Sequence, residues 1–390
     1  MYQQIRYIMK TIVTTKTIVR LLIIWIVVIG LMLFENQLFK ATLSSTTAVV
    51  LFMVLLTTIL TASFGVVKEA DELAHKLGEP FGTLILTLSI VAIEVVLIAA
   101  VMLGPAESPT IGKDSIFSVM MIIMNLVVGL CILLGSSKHQ EQEYNAQGTL
   151  TYFSMIVILG GASLLLPNFI KGSGDGSFTT VQALFISTII ILVYVAFLRY
   201  QLKGYHHLYI QPMAGTLEIK YPKQKLNSQL DQVHTNLDNK KQIWIRSILL
   251  LLMILPIVLL SHQMAIVVDY GIETIQLPLA LGGILIAIIV FTPESITAVK
   301  AAINNEFQRS INLCHGAFVS TVGLTVPAVL LVGLLKGKLV LFGLSDTETV
   351  LFVMTLLLSL ISFLGKRITP ILGVIHLALF AIYMLLVFNP

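Results

Sequence analysis

The sequence predicts an all-α polytopic membrane protein with about eleven transmembrane helices. Of its 390 residues, 57% are hydrophobic and only 11% are charged, against about 25% charged in an ordinary soluble domain. Its mean hydropathy is +0.95. So few charges cannot cover a water-exposed surface, which excludes a soluble enzyme, a nucleic-acid binder and a disordered chain. Long continuous apolar stretches favour helices, because a transmembrane barrel would show short alternating segments.

Each predicted span is an apolar stretch of the length that crosses a bilayer, about 17–25 residues. The stretches lie at residues 16–34, 46–67, 80–103, 114–135, 149–167, 178–198, 243–261, 274–299, 310–335, 347–364 and 368–388. A basic N-terminus precedes the first stretch, and no small-residue cleavage site follows it. We therefore expect an uncleaved first helix rather than a signal peptide.

The distribution of Lys and Arg predicts the orientation. If all eleven stretches span, 19 of the 24 basic residues fall on the side of the N-terminus and five on the other. Cytoplasmic loops carry the excess of Lys and Arg. The sequence therefore predicts a multi-pass protein of the cell membrane with a cytoplasmic N-terminus and the C-terminus outside. The same bias accounts for the formal net charge of +4 without a nucleic-acid partner.

Two membrane-embedded acids indicate an internal repeat. Glu94 and Glu294 are the only acids that we place deep inside the predicted spans, and each falls in the second helix of a five-helix set. Because five is odd, the two sets are expected to cross the membrane in opposite directions, as in many transporters. The predicted organisation is an N-terminal segment (1–45), a first five-helix repeat (46–200), a cytoplasmic loop (201–242) and a second five-helix repeat (243–390).

Polar residues near the two acids are candidate site-lining groups. Pro293 precedes Glu294 directly, and a proline inside a helix frees backbone carbonyls that can face a cation. Close packing through small residues is the alternative explanation of the Gly-containing stripes. The candidate supporting residues are Thr87, Asn125, Thr292, Ser295 and Ser320, and Glu79 is a candidate gate or proton relay.

The two glutamates point to exchange of cations for protons. A charge at the centre of a bilayer is costly, and no Lys or Arg lies deep in a predicted span to neutralise it. A proton and a cation then compete for the same oxygens, and two carboxylates balance one divalent ion or two protons. Oxygen ligands suit a hard cation such as Ca²⁺, whereas His and Cys ligands would be expected for Zn²⁺. Charge count alone leaves Na⁺ and K⁺ open.

Two stretches of the chain resemble bacterial calcium/proton antiporters of the Ca²⁺:cation antiporter superfamily. The first is GEPFGTLILTLS at residues 78–89, followed by Ile93-Glu94. The second comprises TPE at residues 292–294, VKAA within 298–302 and GLTVP at 323–327. The resemblance implies that Glu94 and Glu294 are the paired site carboxylates, exposed alternately to each side, and Asn125 fits an asparagine of that family.

The resemblance is incomplete beside both glutamates. Better-known members carry Gly-Asn three or four residues before each Glu, where this chain has Ile90-Val91 and Val290-Phe291. An amide ligand and a flexible glycine are therefore missing in both repeats. Ser320 falls where those exchangers have a glutamine.

The predicted function is a secondary antiporter that exports Ca²⁺ in exchange for protons, with Glu94 and Glu294 as the shared cation and proton site. A Na⁺ or K⁺/proton antiporter on the same fold is the alternative, and a cation channel is a further one. No metalloprotease, serine-protease or Walker motif indicates an enzyme. We expect no resident cofactor. The expected partners are the lipid bilayer and inorganic cations. The sequence carries no signal for the oligomeric state.

Overall fold

The computed structural model describes residues 14–39, 44–77, 81–103, 108–170, 176–212, 232–275, 278, 280–365 and 367–389. Within these ranges, the side chains of residues 36, 74–77, 81–87, 232–241 and 275 are not described. The candidate gate Glu79 and the side chain of Thr87 therefore lie outside the described part.

The described chain is almost entirely helical. Its long helices are α1 (Thr15–Leu33), α2 (Ser45–Leu77), α3 (Phe81–Met102), α4 (Ile111–Met121), α5 (Val128–His139), α6 (Ala146–Gly160), α7 (Thr180–Lys203), α8 (Gln232–Ile275), α9 (Ala280–Ile303), α10 (Phe307–Ser320), α11 (Val326–Lys336), α12 (Asp346–Phe363) and α13 (Pro370–Phe388). Two short strands, β1 (Gln142–Glu143) and β2 (Arg367–Ile368), pair antiparallel.

The predicted fold class is confirmed. Among the described residues, ten helical segments are long and apolar enough to cross a membrane, with α4–α5 and α10–α11 each counted as one segment. The eleventh, α3, continues the pattern, although its described apolar part is only Leu88–Met102. The protein is an all-α polytopic membrane protein.

Three of the described spans contain π-helix. One π segment, Gly161–Leu165, follows α6 near the end of its span. The other two interrupt the spans that follow α3 and α9. The segment Ile122–Val127 joins α4 to α5, and Thr321–Thr325 joins α10 to α11. A π segment holds one residue more than an α-turn and is often found at functional sites. The two segments begin 199 residues apart, and Glu94 and Glu294 are 200 apart. This matching supports an internal repeat, whose opposite orientation in the membrane stays a prediction.

The helices divide into two compact units. The first comprises residues 1–93 and 215–264. In it, Trp25 of α1 donates a hydrogen bond to the carbonyl of Leu252 on α8 (3.2 Å). Arg246 of α8 forms ion pairs with Glu69 (2.8 Å) and Glu72 (3.0 Å) of α2. Glu69 is only 1% exposed, so the ion pair with Arg246 offsets the cost of burying its carboxylate.

The second unit comprises residues 94–214 and 265–390. Glycines allow close helix contact within it. A Cβ on Gly283 of α9 would collide with the backbone carbonyl carbon of Asp114 on α4. A Cβ on Gly373 of α13 would lie 2.7 Å from the carbonyl oxygen of Gly129 on α5. The backbones of α4 and α9, and of α5 and α13, therefore pack against each other.

A buried charge cluster lies at the start of α4 in the second unit. Lys113 pairs with Asp114 (3.3 Å) and with Glu348 of α12 (2.8 Å). Lys113 and Asp114 are 9% and 5% exposed. The lysine therefore neutralises carboxylates that water cannot reach freely.

Helix α8 differs from its predicted span. It begins at Gln232, inside the predicted loop 201–242, and continues beyond residue 261 to Ile275. Hydropathy marks only the part of a helix that lies in lipid, and no Gly or Pro between residues 223 and 255 ends the helix. The longer α2 and α8 thus include two buried acids, Glu69 and Asp269, which lie outside the predicted spans.

Candidate functional site

Glu94 lies in the middle of α3 and is completely buried. Its Oε2 accepts hydrogen bonds from the hydroxyls of Thr321 (3.0 Å) and Thr325 (2.9 Å). These threonines are the first and last residues of the π segment between α10 and α11. Within the described part of the chain, Glu94 Oε1 has no hydrogen-bond partner. The carboxylate is therefore held at one oxygen and free at the other.

Glu294 lies on α9 in more apolar surroundings and is 9% exposed. Its Oε2 is buried without a hydrogen-bond partner among the described residues. The side chain borders a cavity of about 10 Å³, room for about one water molecule. Ile123 and Val127, from the π segment between α4 and α5, line this cavity with Phe291 and Cys314. Glu294 thus faces branched apolar side chains, whereas Glu94 accepts hydrogen bonds from two hydroxyls.

Both carboxyl groups are buried in the second unit. None of the ion pairs in the described part of the chain includes either group. Two buried negative charges without a basic partner are strongly unfavourable. Chemically, the pair can hold protons or a cation, each of which neutralises it.

Two of the predicted supporting residues flank Glu294 on α9. Ser295 lines the cavity beside Glu294, and its hydroxyl donates to the carbonyl of Phe291 (2.7 Å). Thr292 is partly exposed, and its hydroxyl donates to the carbonyl of Ile288. The helix continues through Pro293 from Ala280 to Ile303. The irregular backbone expected at Pro293 lies instead in the two π segments of the following spans.

Ser320 ends α10, immediately before the threonines that hold Glu94. Its hydroxyl donates to the carbonyl of Gly316 (2.7 Å) and accepts a hydrogen bond from Tyr194 of α7 (3.1 Å). Its polar atom is therefore engaged by α10 and α7.

Asn125 is fully buried in the π segment whose residues Ile123 and Val127 face Glu294. Its amide nitrogen donates to the hydroxyl of Thr355 on α12 (2.9 Å), and its oxygen lies 3.3 Å from His376 Nδ1 on α13. Its side chain is thus bonded to the two C-terminal helices rather than to a site carboxylate.

Sequence reasoning missed Thr321 and Thr325, although a signal was present. Thr325 follows Glu294 by 31 residues, as Asn125 follows Glu94. Applying the repeat to the residue numbers would have identified Thr325, and Thr321 lies four residues earlier on the same helix face. His376 had no such signal, because an isolated histidine in an apolar helix does not reveal its partner.

The fold and the site together define a class. A polytopic helical protein with interrupted spans and paired, unneutralised carboxylates inside it has the features of a secondary transporter of cations.

The chain belongs to the sodium/calcium exchanger protein family, which residues 47–203 and 246–389 match. It is therefore a membrane-embedded cation transporter of the Ca²⁺:cation antiporter superfamily, and this family consists of transporters rather than enzymes. The chain is 33% identical, over 85% of its length and 86% of the relative's, to the sodium-potassium/proton antiporter ChaA of Escherichia coli (strain K12).

Solved structures share the fold at low identity. The Ca²⁺/H⁺ antiporter protein YfkE matches with a TM-score of 0.69 and 16% identity, over 94% of this chain and 100% of that one. The H⁺/Ca²⁺ exchanger CAX matches with a TM-score of 0.64 and 14% identity, over 95% and 89%. These likenesses concern the fold alone.

Proposed function

We propose that this protein is a proton-coupled cation antiporter in which Glu94 and Glu294 hold a cation and protons in turn. The observation that carries the proposal is the buried carboxylate pair, in which Glu94 Oε1 and Glu294 Oε2 each lack a hydrogen-bond partner among the described residues. A cation bound to these oxygens excludes protons from them, and protons bound to them exclude the cation. Alternate access of this site to the two sides of the membrane then gives exchange.

Ca²⁺ is the first candidate cation. Two carboxylates balance one divalent ion, and their replacement by two protons leaves the site neutral in both states. Carboxylate and hydroxyl oxygens are the ligands that Ca²⁺ prefers. The names of the fold neighbours YfkE and CAX, both Ca²⁺/H⁺ exchangers, agree with this choice.

Na⁺ or K⁺ is the second candidate, and a specific observation favours it. Ile90, Val91, Val290 and Phe291 are all buried apolar residues at the places where better-known members carry Gly-Asn. The site therefore offers few oxygens beyond the carboxylates, and Ca²⁺ takes 6–8 oxygen ligands. The relative with 33% identity is named a sodium-potassium/proton antiporter.

The proposed location is the cell membrane, with the N-terminus in the cytoplasm and the C-terminus outside. The cations are substrates, and the proposed mechanism requires no resident cofactor. Cysteine accessibility at residues 2 and 389 in intact cells would test this orientation.

Purified protein in liposomes with an imposed pH gradient tests the function. We expect uptake of Ca²⁺, or of Na⁺ or K⁺, coupled to proton flux in the opposite direction. Glu94→Gln and Glu294→Gln should each abolish exchange. Glu306→Gln is the matched control, because Glu306 is exposed and paired with Arg309.

Three outcomes would contradict parts of the proposal. Monovalent exchange with no effect of Ca²⁺ would exclude Ca²⁺ as the substrate. Exchange that survives in both glutamate variants would exclude the site. Cation flux without proton coupling would favour a channel.

A further inference from the structure

His376 of α13 is a buried histidine that the proposed exchange reaction does not use. It is 0% exposed, and both ring nitrogens have partners. Nδ1 lies 3.3 Å from the side-chain oxygen of Asn125, and Nε2 lies 3.1 Å from the hydroxyl of Ser362 on α12. An amide oxygen only accepts hydrogen bonds, so Nδ1 carries the proton and Nε2 accepts from Ser362. The neutral imidazole, with its proton on Nδ1, therefore forms both hydrogen bonds, to Asn125 and to Ser362.

The bond to Asn125 fixes one face of an irregular backbone segment. Asn125 lies midway between Ile123 and Val127, which border the Glu294 cavity. Residues two apart on a helix point to different faces, whereas residues four apart share one. While Asn125 faces His376 and Thr355, Ile123 and Val127 face Glu294. A π segment is a local departure from the regular α-helix, and the bond to His376 restrains its register.

Helix packing makes this restraint rigid. Gly129, one helical turn after Asn125, meets the backbone of Gly373, which lies one turn before His376. The contact fixes the separation of α5 and α13 at the point where the His–Asn bond forms. Rotation of the π segment would therefore carry Asn125 away from the imidazole.

We propose that His376 is a positioning residue, which through Asn125 holds the π segment Ile122–Val127 in the register that places Ile123 and Val127 against Glu294. This inference rests on the proposed role of Glu294 in cation binding. Release of the bond lets the segment rotate and changes the surroundings of Glu294 without contact between His376 and the cation.

Three substitutions at this position separate positioning from general packing. His376→Asn keeps a donor near the place of Nδ1, His376→Gln keeps a polar atom near the place of Nε2, and His376→Leu keeps neither. Tyr383→Phe is the matched control, because Tyr383 is a buried residue of the same helix whose hydroxyl hydrogen-bonds to Ser118 (2.9 Å). Two readouts apply: exchange kinetics in liposomes, and carbodiimide labelling of Glu294 measured by peptide mass spectrometry.

Loss of the bond should act on cation affinity more than on maximal rate. We expect the Leu and Gln variants to raise the half-saturating cation concentration about tenfold, the effect of one buried hydrogen bond. Their maximal rates should stay within about twofold of wild type. Labelling of Glu294 should rise in both variants. His376→Asn and Tyr383→Phe should resemble wild type in both readouts.

Wild-type affinity and labelling in His376→Leu would overturn the inference, as would equal shifts in the Asn and Leu variants or in Tyr383→Phe. If His376→Leu does not fold, Thr355→Val decides, because it removes the second bond to Asn125 and leaves His376 in place. Labelling needs no transport. If wild-type protein moves no cation, the proposed function fails while the labelling still tests the positioning role.

Discussion

The two threonine hydroxyls on Glu94 allow a quantitative prediction about proton competition. Thr321 and Thr325 donate to the same carboxylate oxygen over 3.0 and 2.9 Å. The double variant Thr321→Val, Thr325→Val removes both donors at nearly constant shape. Glu94 is 0% exposed, so bulk water does not replace them.

The expected magnitude follows from the charge on the acceptor. A hydrogen bond to a charged group contributes about 1.5–3 kcal/mol, more than the same bond to a neutral carboxylic acid. Both hydroxyls therefore stabilise the ionised form that binds a cation, and their loss favours the protonated form. A free-energy difference of 1.36 kcal/mol corresponds to one pH unit. The same bond to the neutral acid contributes about 0.5–1.5 kcal/mol, so the difference between the two forms is about 1–1.5 kcal/mol. Loss of each threonine should therefore shift the pH of half-maximal cation binding upward by about one unit.

The assay is cation uptake into liposomes as a function of pH at fixed cation concentration. Thr188→Val is the control, because its hydroxyl donates to the carbonyl of Leu184 within α7 (2.7 Å) and not to a carboxylate in the described part of the chain. We expect each single variant to shift the midpoint about half as far as the double variant. An unchanged midpoint in the double variant, or a midpoint at lower pH, would refute the role of these hydroxyls.

Three further predictions concern stability, measured by thermal unfolding in detergent. Gly373→Ala should lower the free energy of unfolding by about 1–3 kcal/mol, because the added methyl group overpacks the contact. Gly271 has open space around it, so Gly271→Ala is the control and should not lower it in this way. Equal effects of the two substitutions would contradict the close contact of α5 and α13. Lys113→Met should lower the free energy of unfolding by about 3–5 kcal/mol, because it leaves buried carboxylates unpaired. The double variant Lys113→Met, Glu348→Gln should recover part of this loss. A double variant as unstable as Lys113→Met would argue against the ion pair. Arg367→Met should cause no measurable change, because its ion pairs are exposed and screened; a clear loss would show that the β1–β2 pair depends on them.

The architecture could be predicted from sequence because membrane burial leaves a strong signal. Every backbone group in lipid must be satisfied within a helix, so long apolar runs translate directly into spans. Glu94 and Glu294 stood out for the same reason, since charge is rare there. The ends of α8 could not be predicted, because a helix that extends beyond the lipid loses its apolar signature.

The hydrogen-bond partners and neighbours of the two carboxylates could not be predicted from the residues next to them in the sequence. The backbone irregularity appears in π segments such as Thr321–Thr325, which no proline or glycine pattern marks uniquely. The partners of Asn125 come from residues 230 and 251 positions away. Side-chain direction on a π segment is set by such distant contacts, so local spacing could not show that Asn125 faces His376.

The bond between Asn125 and His376 also has a consequence for biogenesis. The ribosome adds about 5–20 residues per second, and 251 residues separate the two partners. The buried amide of Asn125 is therefore synthesised about 12–50 s before the imidazole that completes its hydrogen bonds. During that interval the nascent chain lacks α13, and the amide oxygen of Asn125 needs another hydrogen-bond partner, such as water. Chains truncated before α13 should therefore be less stable, because the buried amide oxygen of Asn125 stays unpaired.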